Sequence, residues 1–399
     1  MDKMWWFVAV GCLIQATSSS GKLTRRKRDG NPELHMNVSQ WISYNRYPCK
    51  EYEVLTKDGY YLTINRIPFG RKNLMSKDPT PVVFLQHGLF TEARSWVANM
   101  PYNSLAYILA DAGYDVWLGN NRGTSWSQRH QNLSVDQEEF WDFSFHEMAM
   151  FDLPAMINFI LQKTGQKQLY YIGHSQGTTI GFIAFSAMPE LSQKIKMFFA
   201  LAPLISIEHA PSPVLRLLRS VSEKFVKNVL IGKEFVFSRK PVRKIVSKLC
   251  SGTFMRKFCI HLIFSIGGFN ATNINTSRAD IYTAYFPDGG SVKTILHWRQ
   301  VAKSGVFRCF DYGSENQAKY NQNFPPSYNL QDMIVPTSVW SGEKDLIADP
   351  KDVAILLPQI KNRIYYHNFS DWNHWDFVLG LNAPQRLYYR IIDLMGKSL

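Results

Sequence analysis

The sequence predicts an α/β fold in which a mostly parallel central sheet is flanked by helices and interrupted late by a long insertion. Short apolar runs typical of buried strands alternate with helix-like runs through the first half of the 399-residue chain. From roughly 206 to 326 the chain is basic, irregular and broken by Pro and Gly, and the alternation then resumes. Such alternation is typical of a parallel sheet covered on both faces.

The first predicted element is a hairpin at Glu51–Pro68, where apolar and polar residues alternate around Asp58-Gly59. The next predicted elements are strands at 81–86, 114–118, 168–172, 197–202, 337–340 and 363–367 and helices at 104–112, 153–163, 178–187 and 383–395. Open α/β sheets bind ligands beyond the carboxyl ends of their strands. We therefore expect the insertion to form a mainly helical cap or lid over that edge.

The N-terminus is typical of a cleaved signal peptide. Lys3 precedes the apolar run Met4–Ile14, and small residues follow it. The run is too short for a membrane span, which needs roughly 20 apolar residues. We expect a protein of the secretory pathway, secreted or lysosomal, without a transmembrane segment. The predicted divisions are a signal peptide at 1–20, a segment with a basic run at 21–47, the core at 48–205 and 327–399, and the cap at 206–326.

Glycosylation sequons and cysteines fit that compartment. Cys250 and Cys259 are close enough to bridge a small loop, and Cys12 leaves with the signal peptide. Whether Cys49 and Cys309 pair stays open. The candidate glycosylation sites are Asn37, Asn132, Asn270, Asn275 and Asn368.

The formal charge of +13 is concentrated in two places. Residues 1–28 carry a net +5, including Arg25–Arg28, which fits either a processing site or a solvated linker. Residues 211–260 have twelve Lys or Arg against Glu223 and Glu234. A basic patch of this kind favours anionic lipid surfaces or nucleic acid, or is simply solvated. In a secreted chain we expect peripheral lipid contact and no nucleic acid.

The pentapeptide Gly173–Gly177 reads Gly-His-Ser-Gln-Gly, with Ser175 at its centre and His174 and Gln176 beside it. A bare Gly-x-Ser-x-Gly arises often by chance. Here a predicted strand runs into the motif and a predicted helix leaves it, which is the setting of a nucleophile elbow. The sequence therefore predicts an α/β-hydrolase fold with Ser175 as the nucleophile. Gly173 and Gly177 would make room for the tight turn.

A serine nucleophile needs a base and an acid, which follow it in this fold in the order acid, then histidine. His374 follows the last predicted strand in a loop that can reach Ser175, whereas His367 lies within that strand. We expect His374 to be the base, with His367 as the alternative. Asp345 follows the preceding strand and is the expected acid. Its rivals are Glu343 and Asp349.

The oxyanion of an acyl-transfer intermediate needs two backbone N–H donors. The expected donors are Gln176, directly after the nucleophile, and Leu89, in the loop after an earlier strand. Gly88 would let the main chain approach closely. His87 lies on this loop and is expected to hold its shape. This chemistry requires no metal and no cofactor.

The chain resembles the vertebrate acid lipase family, which includes gastric and lysosomal acid lipases, along nearly all its mature length. The resemblance implies the triad Ser175, Asp345 and His374, oxyanion donors at Leu89 and Gln176, and a bridge between Cys250 and Cys259. It also implies a cap and lid and substrates such as triacylglycerols or sterol esters. Its supporting segments are LQHGLF, GNNRG, EFWDFSFHEMAMFDLPA, TGQKQLYYIGHSQGTT, FALAPL, NTSRADIY and DLIADPKDV.

The chain departs from the family pattern near the site. Glu343 stands two residues before the expected acid, and His146 replaces a usual Asp. Gly267 stands at the position of the family's third cap cysteine, and tryptophans flank Asn373-His374. These departures bear on pH optimum and substrate preference.

The residues of the site, together with what the resemblance implies, predict a serine ester hydrolase that cleaves neutral lipids at a lipid–water interface. One alternative is a lipase-fold protein that binds lipid without turning it over. Another is a carboxylesterase or acyltransferase that acts on soluble esters.

Overall fold

A computed structural model describes residues 31–71, 80–222 and 272–398, together with positions 234, 245, 255, 258, 259, 261, 264–268 and 270. Contacts divide the chain into two units, Met1–His35 and Met36–Leu399. In the first unit, Pro32–His35 forms one 3-10 turn. Within the described residues, every helix is too short or too polar to cross a membrane.

The second unit is built on one β-sheet, whose strands are β1 Lys50–Leu55, β2 Tyr60–Ile67, β3 Val82–Gln86, β4 Asp115–Leu118, β5 Arg129–His130, β6 Leu169–His174, β7 Ile195–Leu201, β8 Thr337–Gly342 and β9 Arg363–Phe369. These nine strands lie in the order β1-β2-β4-β3-β6-β7-β8-β9, with β5 beside β2. β1 and β2 form the expected hairpin, and β2 also pairs antiparallel with β4 and β5. All pairs from β4 across to β9 are parallel. The predicted mostly parallel sheet is therefore confirmed.

Helices cover the sheet. The described ones are α1 Val38–Tyr44, α2 Leu105–Asp111, α3 Phe145–Glu147, α4 Leu153–Thr164, α5 Gln176–Ala187, α6 Pro189–Ser192, α7 Pro213–Ser220, α8 Ala279–Tyr285, α9 Val292–Ser304, α10 Asn316–Tyr320, α11 Pro350–Leu356, α12 Asp376–Leu379 and α13 Tyr389–Gly396. The predicted last helix begins with a π turn at Pro384–Tyr388. Another π turn, Met148–Asp152, joins α3 to α4.

The central strands are apolar because both of their faces are covered. Every residue of β3, β4, β6 and β8 is buried, whereas most of β9, at the edge of the sheet, is exposed. Buried aliphatic and aromatic side chains dominate such a core. Because β3, β6, β7, β8 and β9 are consecutive and parallel in the sheet, their carboxyl ends lie along the same edge.

The insertion predicted at 206–326 contains α7, α8, α9 and α10 among its described residues. α9 is well capped: the Ser291 hydroxyl accepts from the Thr294 N–H, and Gly305 ends the helix in a left-handed conformation. Most of the basic stretch 211–260 lies outside the described residues. The exact limits of the cap stay a prediction.

Candidate active site

Ser175 lies at a sharp turn between strand and helix. β6 ends at His174 and α5 begins at Gln176, so Ser175 alone makes the connection. Its backbone has φ 54° and ψ −125°, a strained conformation for a residue with a side chain. A Cβ at Gly173 would come within 2.7 Å of the Gly177 carbonyl carbon. The turn therefore needs glycine there, as the motif suggested.

The three expected triad residues meet in the structure. His374 Nε2 lies 2.8 Å from Ser175 Oγ, and His374 Nδ1 lies 2.8 Å and 3.1 Å from the two Asp345 oxygens. All three residues are buried. They follow β6, β8 and β9, whose carboxyl ends lie along the same edge of the sheet, with β7 between β6 and β8. An imidazole held in this way can accept the hydroxyl proton while the carboxylate fixes its tautomer.

The rival acids and the rival base have other partners. Glu343 is exposed and accepts a hydrogen bond from the Asn368 amide. Asp349 caps α11 by accepting from the Lys351 N–H. His367 lies on the exposed edge strand, with its ring against Phe369.

Asp345 is fixed by its own loop. Its Oδ1 accepts hydrogen bonds of 2.8 Å from the N–H groups of Ile347 and Ala348. These bonds hold the carboxylate in one orientation, with both oxygens toward the His374 ring. A carboxylate held by backbone donors keeps its geometry without help from solvent.

The predicted oxyanion donors flank Ser175. Gln176 is the first residue of α5, so its N–H has no acceptor within the helix. Leu89 follows Gly88, and a Cβ at Gly88 would lie 2.9 Å from the Ser175 Cβ. The loop after β3 thus comes as close to the nucleophile as glycine permits.

His87 holds this loop by both ring nitrogens. Nδ1 lies 2.8 Å from the Gly88 carbonyl oxygen, and Nε2 accepts from the Asn121 N–H at 3.1 Å. The ring is therefore neutral, with its proton on Nδ1. Burial lowers the pKa of His87 to about 4, which preserves that state across a wide pH range.

The side chain of Gln176 is held by the insertion, which the sequence did not indicate. Trp298 on α9 donates its indole N–H to Gln176 Oε1 at 2.8 Å. The Gln176 amide in turn contacts Met148 Sδ at 3.5 Å. The conformation of an expected oxyanion residue therefore depends on contact between cap and core.

His174 contacts His374, the expected base. Its Nε2 lies 3.0 Å from the His374 carbonyl oxygen, and the two rings are 4.9 Å apart. Burial holds the pKa of His174 well below its usual range. A neutral His174 donates its Nε2 proton to that carbonyl.

Two further groups fix the loop around His374. Asp376 accepts from the Asn373 N–H and from the Asn273 amide, both at 2.7 Å. Burial raises the pKa of Asp376 to about 6, although these hydrogen bonds oppose the shift. The Gly267 carbonyl accepts from the His374 N–H at 3.0 Å. A Cβ at Gly267 would lie 2.8 Å from the His374 Cβ, so the approach is closer than a larger residue allows without adjustment.

His146, another departure from the family pattern, lies in a separate, half-buried cluster. Its Nδ1 is 2.8 Å from the Tyr328 hydroxyl and 3.8 Å from Cys309 Sγ. Burial lowers the pKa of His146. The cluster adds no group to the triad.

The structure describes most of the cysteines and asparagines at the predicted disulfide and glycosylation sites. Cys259 is disulfide-bonded, while its expected partner Cys250 lies outside the described residues. Cys49 and Cys309 are free thiols. Of the sequon asparagines, Asn132 is exposed, Asn37 and Asn275 cap helices, Asn368 is half-buried beside Glu343, and Asn270 is half-buried. Their glycosylation stays a prediction.

Comparison with known proteins agrees with the fold. Residues 81–381 match the family model described as the alpha/beta hydrolase fold, and residues 38–100 match a partial alpha/beta-hydrolase lipase region. An alpha/beta hydrolase fold protein from Nakamurella multipartita superposes with a TM-score of 0.50 at 14% identity, covering 86% of this chain and 98% of that one. At that identity the likeness concerns the fold alone.

Full-length relatives are much more similar. The chain is 51% identical to lysosomal acid lipase/cholesteryl ester hydrolase from Homo sapiens, covering 99% of each chain. It is 47% identical to gastric triacylglycerol lipase from Homo sapiens, covering 99% of this chain and all of the relative. It is 50% identical to lipase member M from Mus musculus, covering 99% and 94%. The chain therefore belongs to the acid lipase family of the alpha/beta hydrolases, as its sequence motifs predicted.

Proposed function

We propose that this chain is a serine hydrolase that cleaves the carboxylic ester bonds of neutral lipids, with Ser175, His374 and Asp345 as its triad. The observation that carries the proposal is the unbroken line of contacts from Ser175 Oγ to His374 to Asp345, each at 2.8 Å. A hydroxyl so placed on a strained elbow is activated for acyl transfer.

In the first half of the reaction, Ser175 Oγ attacks the ester carbonyl carbon while His374 Nε2 takes the hydroxyl proton. The N–H groups of Leu89 and Gln176 stabilise the resulting oxyanion. The C–O bond to the alcohol then breaks, and His374 returns the proton to the leaving oxygen. Ser175 is left as an acyl ester.

In the second half, His374 deprotonates a water molecule that attacks the acyl ester. The same amides hold the second oxyanion, and the fatty acid leaves as Ser175 regains its proton. Asp345 stabilises the charged imidazole in both halves through its contact with Nδ1.

The lipid substrate class is supported by the relatives, whose names specify cholesteryl ester hydrolase and triacylglycerol lipase activities. The same relatives and the N-terminal sequence support the secretory pathway, secreted or lysosomal. We propose that the basic cap touches the lipid surface. On α7, Val214 and Leu217 are exposed beside Arg216, a combination suited to an anionic interface.

The test measures fatty acid released from triolein and cholesteryl oleate emulsions by wild-type protein and by Ser175→Ala. We expect release by the wild type and loss of nearly all of it in the variant. Tributyrin assayed below and above its solubility limit separates a lipase from an esterase for soluble esters, because a lipase gains rate with the emulsion. Undiminished activity of Ser175→Ala would contradict the proposal.

A further inference from the structure

A cavity of about 60 Å³ lies between residues of the core and residues of the predicted cap. Three of its lining residues adjoin the proposed machinery along the chain. His174 precedes Ser175, Trp375 follows His374, and Thr91 lies two residues after Leu89. Chain neighbours of the nucleophile, of the base and of the oxyanion loop therefore all contribute to the wall of this cavity.

The walls of this cavity are mainly aromatic and aliphatic. The core and the cap both contribute rings, namely Trp41, Trp375, Phe264, Tyr282, Tyr285 and Phe286. Pockets that bind the apolar part of a ligand have this composition and are found between domains.

The two charged residues of the lining are occupied with each other. Arg94 Nε donates to Glu92 Oε1 at 2.7 Å, and the guanidinium lies 3.4 Å from the centre of the Tyr285 ring. Glu92 Oε2 also accepts from the Trp126 indole at 3.0 Å. The remaining surface favours hydrocarbon over a charged ligand.

Trp375 forms a fixed wall of the cavity. Its indole N–H donates to the Phe264 carbonyl oxygen at 3.3 Å. Its ring meets the rings of Phe264 and Phe286 edge to face, with centres 5.5 Å and 5.1 Å apart. The Trp375 side chain is buried. A ligand that extends past the indole would therefore have to displace it from these contacts.

We propose that this cavity is the acyl-chain subsite of the hydrolase and that Trp375 limits the length of the chain it accepts. The inference rests on the proposed ester hydrolysis at Ser175. One water needs about 10–15 Å³ of such volume, so the cavity offers the space of roughly four to six waters. That suits a short acyl chain, and longer chains must displace the indole.

The experiment measures kcat/KM for p-nitrophenyl esters from acetyl to palmitoyl, with the alcohol held constant. For the wild type we expect a maximum at butyryl or hexanoyl. Trp375→Leu should move the maximum to longer chains and raise the octanoyl-to-butyryl ratio at least about ten-fold, since each buried methylene is worth roughly four-fold. Ala98→Leu, which narrows the same cavity, should move the maximum to shorter chains.

Trp372→Leu is the matched control. Trp372 lies on the same loop but stacks on Phe369 at 3.8 Å and does not line the cavity. We expect its chain-length profile to keep the wild-type maximum. An unchanged profile in both Trp375→Leu and Ala98→Leu, or equal shifts in Trp375→Leu and Trp372→Leu, would overturn the inference.

A second series varies the alcohol of butyrate esters. A change in alcohol preference without a change in acyl preference would assign the cavity to the leaving group and contradict the inference. If Trp375→Leu does not fold, Ala98→Leu decides alone. Wild-type protein that hydrolyses no ester would refute the proposed function and this inference with it, whereas active variants with wild-type profiles refute the inference only.

Discussion

Asp345 presents both carboxylate oxygens to one ring nitrogen of His374, at 2.8 Å and 3.1 Å, although Glu343 stands only two residues earlier in the same loop. Glu343 turns outward and accepts from Asn368 instead. The two acids differ because Asp345 is buried and bonded to backbone N–H groups, whereas Glu343 is exposed. Asp345 is therefore placed to act on His374, whereas Glu343 is not.

Substitutions of Asp345 and Glu343 should have very different effects on catalysis. Asp345→Asn should lower kcat about 10⁴-fold, because an amide no longer stabilises the imidazolium or fixes its tautomer. Glu343→Gln should stay within about three-fold of the wild type, since its side chain lies outside the triad. The measurement is the kcat for p-nitrophenyl butyrate. A larger loss of kcat in Glu343→Gln than in Asp345→Asn would show that Glu343, and not Asp345, is the acid of the triad.

The second prediction concerns the bond between Trp298 and Gln176. Trp298→Phe keeps a ring but removes the indole donor, a loss of about 1 kcal/mol if the bond orients the oxyanion residue. We expect kcat to fall about five-fold with little change in KM. Trp340→Phe is the control, because the buried Trp340 indole N–H has no hydrogen-bond partner in the described part of the chain. Equal effects of the two substitutions would show that the bond has no positioning role.

The third prediction concerns pH and Asp376. Burial raises its pKa from 3.8 to about 6 in the folded chain. The stabilisation from this group is therefore fully present below about pH 4 and is lost as pH rises through 6, a change of about 3 kcal/mol.

Urea unfolding of the wild type and of Asp376→Asn at pH 4 and pH 7.5 measures this change. The free energy of unfolding of the wild type should fall relative to that of the variant as pH rises. If the difference in free energy of unfolding between the two proteins is the same at both pH values, Asp376 ionises normally in the folded state.

The fourth prediction concerns the approach of the oxyanion loop. Gly88→Ala places a Cβ 2.9 Å from the Ser175 Cβ, so the loop must withdraw. Displacement of a donor such as Leu89 costs about 10²-fold in kcat. Gly396→Ala, where a Cβ meets nothing within 4 Å, is the control and should keep wild-type kinetics. Full activity of Gly88→Ala would contradict the expected oxyanion loop.

The parallel sheet and the elbow could be predicted because their signals are local: short apolar runs, and a Gly-x-Ser-x-Gly between strand and helix. The placement of Asp345 and His374 followed from their position in loops after strands. The contacts of Trp298 with Gln176 and of Asn273 with Asp376 span 122 and 103 residues of sequence. They depend on how the insertion lies against the core, which no local pattern encodes.

The approach of Gly267 to His374 is a further contact of this kind. The sequence marked Gly267 only as a departure from the family, because its packing involves a segment more than a hundred residues away in the chain. The aromatic cavity beside Trp375 could not be predicted either, because residues of both the core and the predicted cap line it.

Covalent labelling of the purified protein with a fluorophosphonate, followed by peptide mass spectrometry, tests directly whether Ser175 is an activated nucleophile. Such a probe reacts with a serine hydroxyl only when a neighbouring base activates it. We expect about one label per chain, located on Ser175, and loss of that label in His374→Ala. Label on another serine, or folded wild-type protein that takes up none, would contradict this expectation.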